Sequence, residues 1–169
     1  MSIIKVERDD ERLSLLVLAE FNAPIEHVWQ LWADPRQLER WWGPPSYPAT
    51  VEKYEFTPGG EVNYYMTGPD GERSHGWWQV SSIDPPRSLV FIDGWAHADG
   101  TRNTDMPTMT VQVQLRALDG RTRMELRFGF ASREHMEEME RMGAFEGIAQ
   151  SVGQMDGLLA DSTNQEASS

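Results

Sequence analysis

Apolar and polar residues alternate one for one over residues 109–116 (MTVQVQLR), the period of a strand with one face buried and one in solvent. The same period returns at once, with Met124, Leu126, Phe128 and Phe130 set against Glu125 and Arg127. Five short stretches carry the residues that tight turns require: 57–60 (TPGG), 69–72 (PDGE), 83–86 (IDPP), 98–101 (ADGT) and 118–121 (LDGR). Asp-Gly supplies a positive φ, and proline presets the first turn dihedral. Five turns divide residues 49–131 into six antiparallel strands. Upstream, residues 13–21 (LSLLVLAEF) predict a seventh, ended by Asn22, Ala23 and Pro24.

After that strand the period changes to three or four. Pro24 suits the first position of a helix, where its missing N–H costs nothing, and Glu26 complements the positive helix start. Val28, Leu31 and Trp32 share one face. A second short helix opens at Asp34 and Pro35, carries Leu38, Trp41 and Trp42, and stops at Gly43 and Pro44. The last element runs from a Ser132 cap, with Glu134 in its first turn, to about Leu159. Met136, Met139, Met142, Phe145, Ile148, Val152, Met155 and Leu159 make one apolar stripe along it, and such a stripe must be buried.

An antiparallel meander leaves one face needing cover, so the economical arrangement is an α+β helix-grip fold. It has a seven-stranded curved antiparallel sheet, two short helices after the first strand, and one long C-terminal helix across the concave face. A single domain is expected over residues 1–160, with residues 161–169 a disordered tail that has nothing to bury.

Charge narrows the partners. The net charge is −12, and only Lys5 and Lys53 of the fifteen basic residues are lysines, so the overall field repels phosphate backbones and nucleic acid is not expected. No cysteine occurs, which removes disulfides, thiolate nucleophiles and Cys-ligated zinc and fits a reducing cytosol. Residues 1–10 lack the apolar run of a signal peptide, and no later segment approaches a membrane span. A cytoplasmic protein without a membrane partner follows.

Catalytic patterns are sparse. His27 and His135 sit in charged helical company and read as exposed. His75 and His97 flank strands joined by the 83–86 turn, yet neither a His-Glu-x-x-His helix nor comparable ligand spacing is present, so no metal is expected. No Gly-x-Ser-x-Gly elbow occurs, and the glycine pairs open no helix, so neither a serine nucleophile nor a phosphate-binding cofactor is indicated. Acid–base chemistry would fall to Tyr64, His75, Asp93 or His97. Strand parity puts His75 on the face opposite Trp78 unless a bulge intervenes.

Strand and helix parity together place Tyr64, Met66, Trp78, Phe91, Trp95, Met109, Val111, Val113, Phe128, Met139, Met142 and Phe145 on the concave face. Most of these are core candidates. One helix over a curved sheet often leaves a void, however, and flexible Met side chains can line it, so the same set is the candidate lining of a ligand cavity. Trp41 and Trp42 point about 100° apart on a helix, and with Leu38 they form an apolar face that packs the short helices on the sheet.

The sequence resembles the SRPBCC, or START-like, superfamily, in the branch similar to the C-terminal domain of activators of the heat-shock-protein-90 ATPase. The resemblance is carried in order by residues 23–29 (APIEHVW), 32–35 (WADP), 38–44 (LERWWGP), 58–60 (PGG), 69–71 (PDG), 76–78 (GWW), 83–90 (IDPPRSLV) and 143–147 (GAFEG). It implies a cavity between sheet and long helix, used by different members for apolar ligands, for cyclase chemistry or for partner binding. Relatives commonly place Trp where this chain has Ile148, which implies a roomier, less polar pocket if that position lines it.

The leading expectation is therefore a non-catalytic protein that binds a small apolar or aromatic molecule. A chaperone ATPase-activator-like module and a small polyketide-cyclase-like acid–base enzyme are the alternatives. A chaperone partner rests on the resemblance alone, and a homodimer is consistent with it, with no residue marking an interface.

Overall fold

The computed structural model describes residues 3–168. In chain order the elements are β1 (Ile3–Asp9), β2 (Ser14–Phe21), α1 (Ile25–Ala33), α2 (Pro35–Leu38), β3 (Ala49–Tyr54), β4 (Glu61–Thr67), β5 (Arg73–Asp84), β6 (Ser88–Ala96), β7 (Met109–Leu118), β8 (Arg121–Phe130), α3 (Arg133–Arg141) and α4 (Ala144–Ser168). The strands form one antiparallel sheet in the order β1-β2-β8-β7-β6-β5-β4-β3, with the helices packed on it. The α+β helix-grip architecture is as expected, and all five turn stretches separate strands.

The sheet has eight strands rather than seven. The addition is β1, an edge strand paired with β2 from Lys5 opposite Leu18 to Asp9 opposite Ser14. Its Lys5 and Glu7 are exposed and its Val6 is 44% exposed, so main-chain pairing holds this stretch, while Ile3 packs partly buried against the core. Charged side chains on an edge also discourage pairing with a second sheet.

The short helices begin almost where the capping chemistry puts them. Pro24 precedes α1 as its cap rather than filling the first helical position, and its carbonyl accepts from the His27 and Val28 N–H groups at 3.0 and 3.3 Å. Asp34 caps α2, its Oδ1 accepting from the Arg36 N–H at 2.9 Å. That helix closes at Leu38 after a single turn. Trp41 and Trp42 lie just beyond it, their N–H groups bonded to the Leu38 carbonyl at 3.2 and 2.9 Å.

The expected single C-terminal helix is two. Ser132 caps α3 as predicted, Oγ accepting from the His135 N–H at 3.0 Å, but Gly143 adopts φ +81° and ends the run. A residue in that left-handed conformation cannot continue a helix, and glycine adopts it without strain. The apolar stripe is consequently broken: Met136, Val152, Met155 and Leu159 are buried, whereas Met142 is 57% exposed. α4 carries the backbone on to Ser168, past the end expected near Leu159 and through most of the segment expected as a disordered tail; Ser169 lies outside the described residues.

Under α1 the layer is solid. Trp32, Trp41, Trp78 and Phe91 are each at most 1% exposed. Trp78 stacks on Phe91 at 3.8 Å, and Trp41 packs edge-on to Trp32 at 4.5 Å while donating its indole N–H to the Leu31 carbonyl at 2.8 Å. The Trp32 and Trp78 indole N–H groups are buried without a hydrogen-bond partner, so ring packing rather than polar satisfaction holds these two side chains in place.

Candidate functional site

Beneath the break between α3 and α4 the layer is hollow. A cavity of about 490 Å³ lies between the concave face of β4 to β8, the loop from Trp41 to Tyr47, α3 and the first turns of α4. The loop is fixed to the roof by Gln154 of α4, whose Nε2 donates to the carbonyls of Gly43 at 2.8 Å and Trp41 at 3.3 Å. Gly43 allows the tight return of this loop, with φ +102° and the Tyr47 carbonyl 2.4 Å from where a Cβ would stand.

Apolar side chains dominate the walls, and the buried polar residues among them are His135, Ser151 and a hydrogen-bonded pair. The Tyr64 hydroxyl donates to Asp93 Oδ1 at 2.7 Å, joining β4 to β6 across β5. The strand between them leaves room because its residue there is glycine. A Cβ on Gly76 would lie 2.5 Å from the Tyr64 hydroxyl and 2.4 Å from its ring. The register agrees, setting Gly76 directly opposite Tyr64.

Burial pushes the Asp93 carboxyl up to about 7, opposed by the Tyr64 hydrogen bond, since a single donor does not replace lost water. Tyr64 itself is driven well above the ordinary phenol range by burial and by the adjacent carboxylate. The Trp42 ring stands edge-on to Tyr64 at 6.1 Å. Its indole N–H is close enough to oppose the Tyr64 shift weakly, yet it makes no hydrogen bond of good geometry.

Of the twelve residues read as concave and cavity-facing, Tyr64, Met66, Trp95, Met109, Phe128, Met139 and Met142 border this cavity. Trp78, Phe91, Val111, Val113 and Phe145 do not. The first four are fully buried in the solid end, and Phe145 packs on Phe130 at 5.8 Å. Trp42, Tyr47, Leu126, His135, Ile148 and Val152 line it as well. The signals for several of these are the paired breaks at Gly43 and Gly143, which leave residues 41–47 and the start of α4 to frame one opening.

His135 overturns its sequence reading. It is only 7% exposed, its Nδ1 accepts from the Ala131 N–H at 3.3 Å, and burial lowers its pKa. His27 is half-buried rather than exposed. His75 borders the cavity, but no bulge separates it from Trp78, and its ring meets Tyr65 at 5.5 Å on the parity opposite Tyr64. His97 is exposed in the turn after β6. Of the four acid–base candidates, Tyr64 and Asp93 therefore come together and the histidines stand apart. Among the described residues, no three His, Asp or Glu side chains converge as metal ligands, and no helix is long and apolar enough to cross a membrane.

Residues 22–160 match the family described as Activator of Hsp90 ATPase homolog 1-like protein. A solution structure of a protein from Arthrobacter aurescens is 45% identical, with a TM-score of 0.91 over 95% of this chain and 93% of that one. A crystal structure from Mycobacterium smegmatis is 44% identical, with a TM-score of 0.85 over 93% and 96%. An AHSA1 protein from Silicibacter pomeroyi shares 25% identity at a TM-score of 0.69, over 87% of this chain and 97% of that one. No curated protein matches.

Proposed function

The chain belongs to the Activator of Hsp90 ATPase homolog 1-like family, and from that premise we propose that it binds a small, largely apolar molecule in the cavity between its sheet and its C-terminal helices. The observation that carries this reading is the hollow itself. About 490 Å³ within a small folded chain is far more than packing defects leave, and it falls in the range of small-molecule sites. Apolar walls with few convergent polar groups supply affinity through burial and orientation through hydrogen bonds.

The Tyr64–Asp93 pair is the orienting element. Ile148 borders the hollow, and it supports the wider, less polar pocket its identity implied. The absence of cysteine supports a cytoplasmic setting. The family description also names a chaperone ATPase activator; that reading has no feature of the site behind it, whereas the cavity favours a small molecule.

Titration with naphthalene-sized neutral compounds, followed by amide NMR shifts, tests the proposal. Shifts should concentrate at Met66, Met109, Phe128, Met139 and Ile148. Shifts confined to the outer face of the sheet, or none with any compound, would remove it.

A further inference from the structure

The cavity has a charge preference as well as a shape. Asp93 is 9% exposed, lines the cavity, and receives one hydrogen bond, from Tyr64. Among the described residues, no lysine or arginine borders the space. The other titratable groups around it are Tyr47 in the loop after α2, His75 on β5, His135 on α3 and the exposed Glu146 on α4; β7 and β8 contribute none. Burial lowers the His135 pKa and so disfavours its cationic form, and the two carboxyls on the walls, Asp93 and Glu146, are negative when ionised, in a chain whose net charge is −12.

A buried carboxylate with one neutral donor is undersatisfied, and a partner that brings both a positive charge and N–H donors relieves it best. The Trp42, Tyr64 and Trp95 rings add polarisable walls that accept a cation more readily than aliphatic ones would. An anion would meet a field of its own sign from Asp93 and Glu146.

Building on the cavity reading above, we infer that the occupant is an apolar or aromatic molecule bearing one protonated nitrogen, held with that nitrogen against the Asp93 carboxylate. The ring system fills the space toward Met66, Met109, Phe128 and Met139.

The test is calorimetric titration of three probes of one shape: 2-(1-naphthyl)ethylamine, 2-(1-naphthyl)ethanol and 1-naphthylacetate. Salt at about 0.15 M screens the surface charge. The amine should bind about tenfold or more tighter than the alcohol at about pH 8, with the acetate weakest. Amine affinity should rise between about pH 6 and about pH 8 as Asp93 ionises. In Asp93→Asn, which keeps an acceptor for Tyr64, the amine-to-alcohol ratio should fall to about one.

An alcohol that equals the amine, an amine affinity that falls with rising pH, or a preference that survives Asp93→Asn would each overturn the inference. Should Asp93→Asn fail to melt cooperatively, the wild-type pH dependence decides. Binding of the alcohol without amine preference defeats this inference and leaves the cavity reading standing; binding of none of the three defeats both.

Discussion

The two ends of the layer between sheet and helices are built from the same residue types and do opposite things. Along β6 the inward side chains are Leu89, Phe91, Asp93 and Trp95, and along β7 they are Val113, Val111 and Met109, running from the end under α1 to the end under α3 and α4. Leu89, Phe91, Val111 and Val113 are sealed, whereas Asp93, Trp95 and Met109 border the hollow. What differs is the roof. At one end a continuous helix supplies Trp32, and the Trp41 ring closes beside it; at the other, Gly143 interrupts the stripe and leaves Met142 bordering the hollow while 57% exposed. Aromatic content therefore does not separate core from lining; continuity of the opposing element does.

The largest expected effect lies at the solid end. Trp78→Ala removes a ring that stacks on Phe91 and touches Trp42, so it should cost about 3–5 kcal/mol in urea unfolding, if the variant folds at all. Met139→Ala at the hollow end, where the side chain is only partly buried, should cost less than about 1.5 kcal/mol. Equal costs would erase the distinction between the ends.

Much of this plan is legible in the sequence, and the illegible parts share a cause. Asp119 and Gly120 make a two-residue turn by local backbone chemistry, so β7 and β8 can be read without their neighbours. Ser132 caps α3 for the same reason. β1 escapes because its pairing with β2 is a main-chain property that its exposed, charged side chains do not advertise. The α3–α4 break escapes because an apolar stripe at helical spacing runs straight through Gly143, and periodicity does not register φ.

The cavity lining divides in the same way. Parity assigns a face, so Trp78 and Tyr64 are both correctly placed inward. It says nothing of position along the strand, so it mixes residues of the solid end with residues of the hollow one. His135 is missed because acidic neighbours in sequence suggest solvent, whereas the capped turn lays its ring edge-on to Phe130 at 5.6 Å.

The next effect concerns the cost of the polar pair at the hollow end. Asp93 has its pKa raised to about 7 in the folded protein against 3.8 ordinarily, so between these values the native state holds a proton that the unfolded chain releases. The contribution of Asp93 to stability should therefore be greatest below about pH 4, fall through the interval, and level off above about pH 7, by an amount on the order of a few kcal/mol. His135, with its pKa lowered, works in the opposite sense, removing stability as pH drops below the ordinary imidazole range. Asp93→Asn isolates the carboxyl: the difference between its urea-denaturation profile and the wild-type one should show the fall alone. A difference that is flat with pH would mean that the carboxyl is well hydrated and the hollow end is not apolar.

The smallest change in stability should accompany the clearest change in function. Ile148 is partly buried on the first turns of α4 and borders the cavity, so Ile148→Trp directs a larger ring into space that is already empty rather than into packed atoms. Overpacking a filled core costs about 1–3 kcal/mol, but filling a void recovers dispersion contacts, so stability should move by no more than about 1 kcal/mol in either direction. The occupied volume is lost to any ligand, and naphthylethanol affinity should drop about tenfold or more. The same enlargement at the solid end, Val111→Trp, has no void to enter and should unfold the chain outright. If Ile148→Trp instead destabilises as Val111→Trp does, the space under the α3–α4 break closes in solution, and the two ends are alike after all.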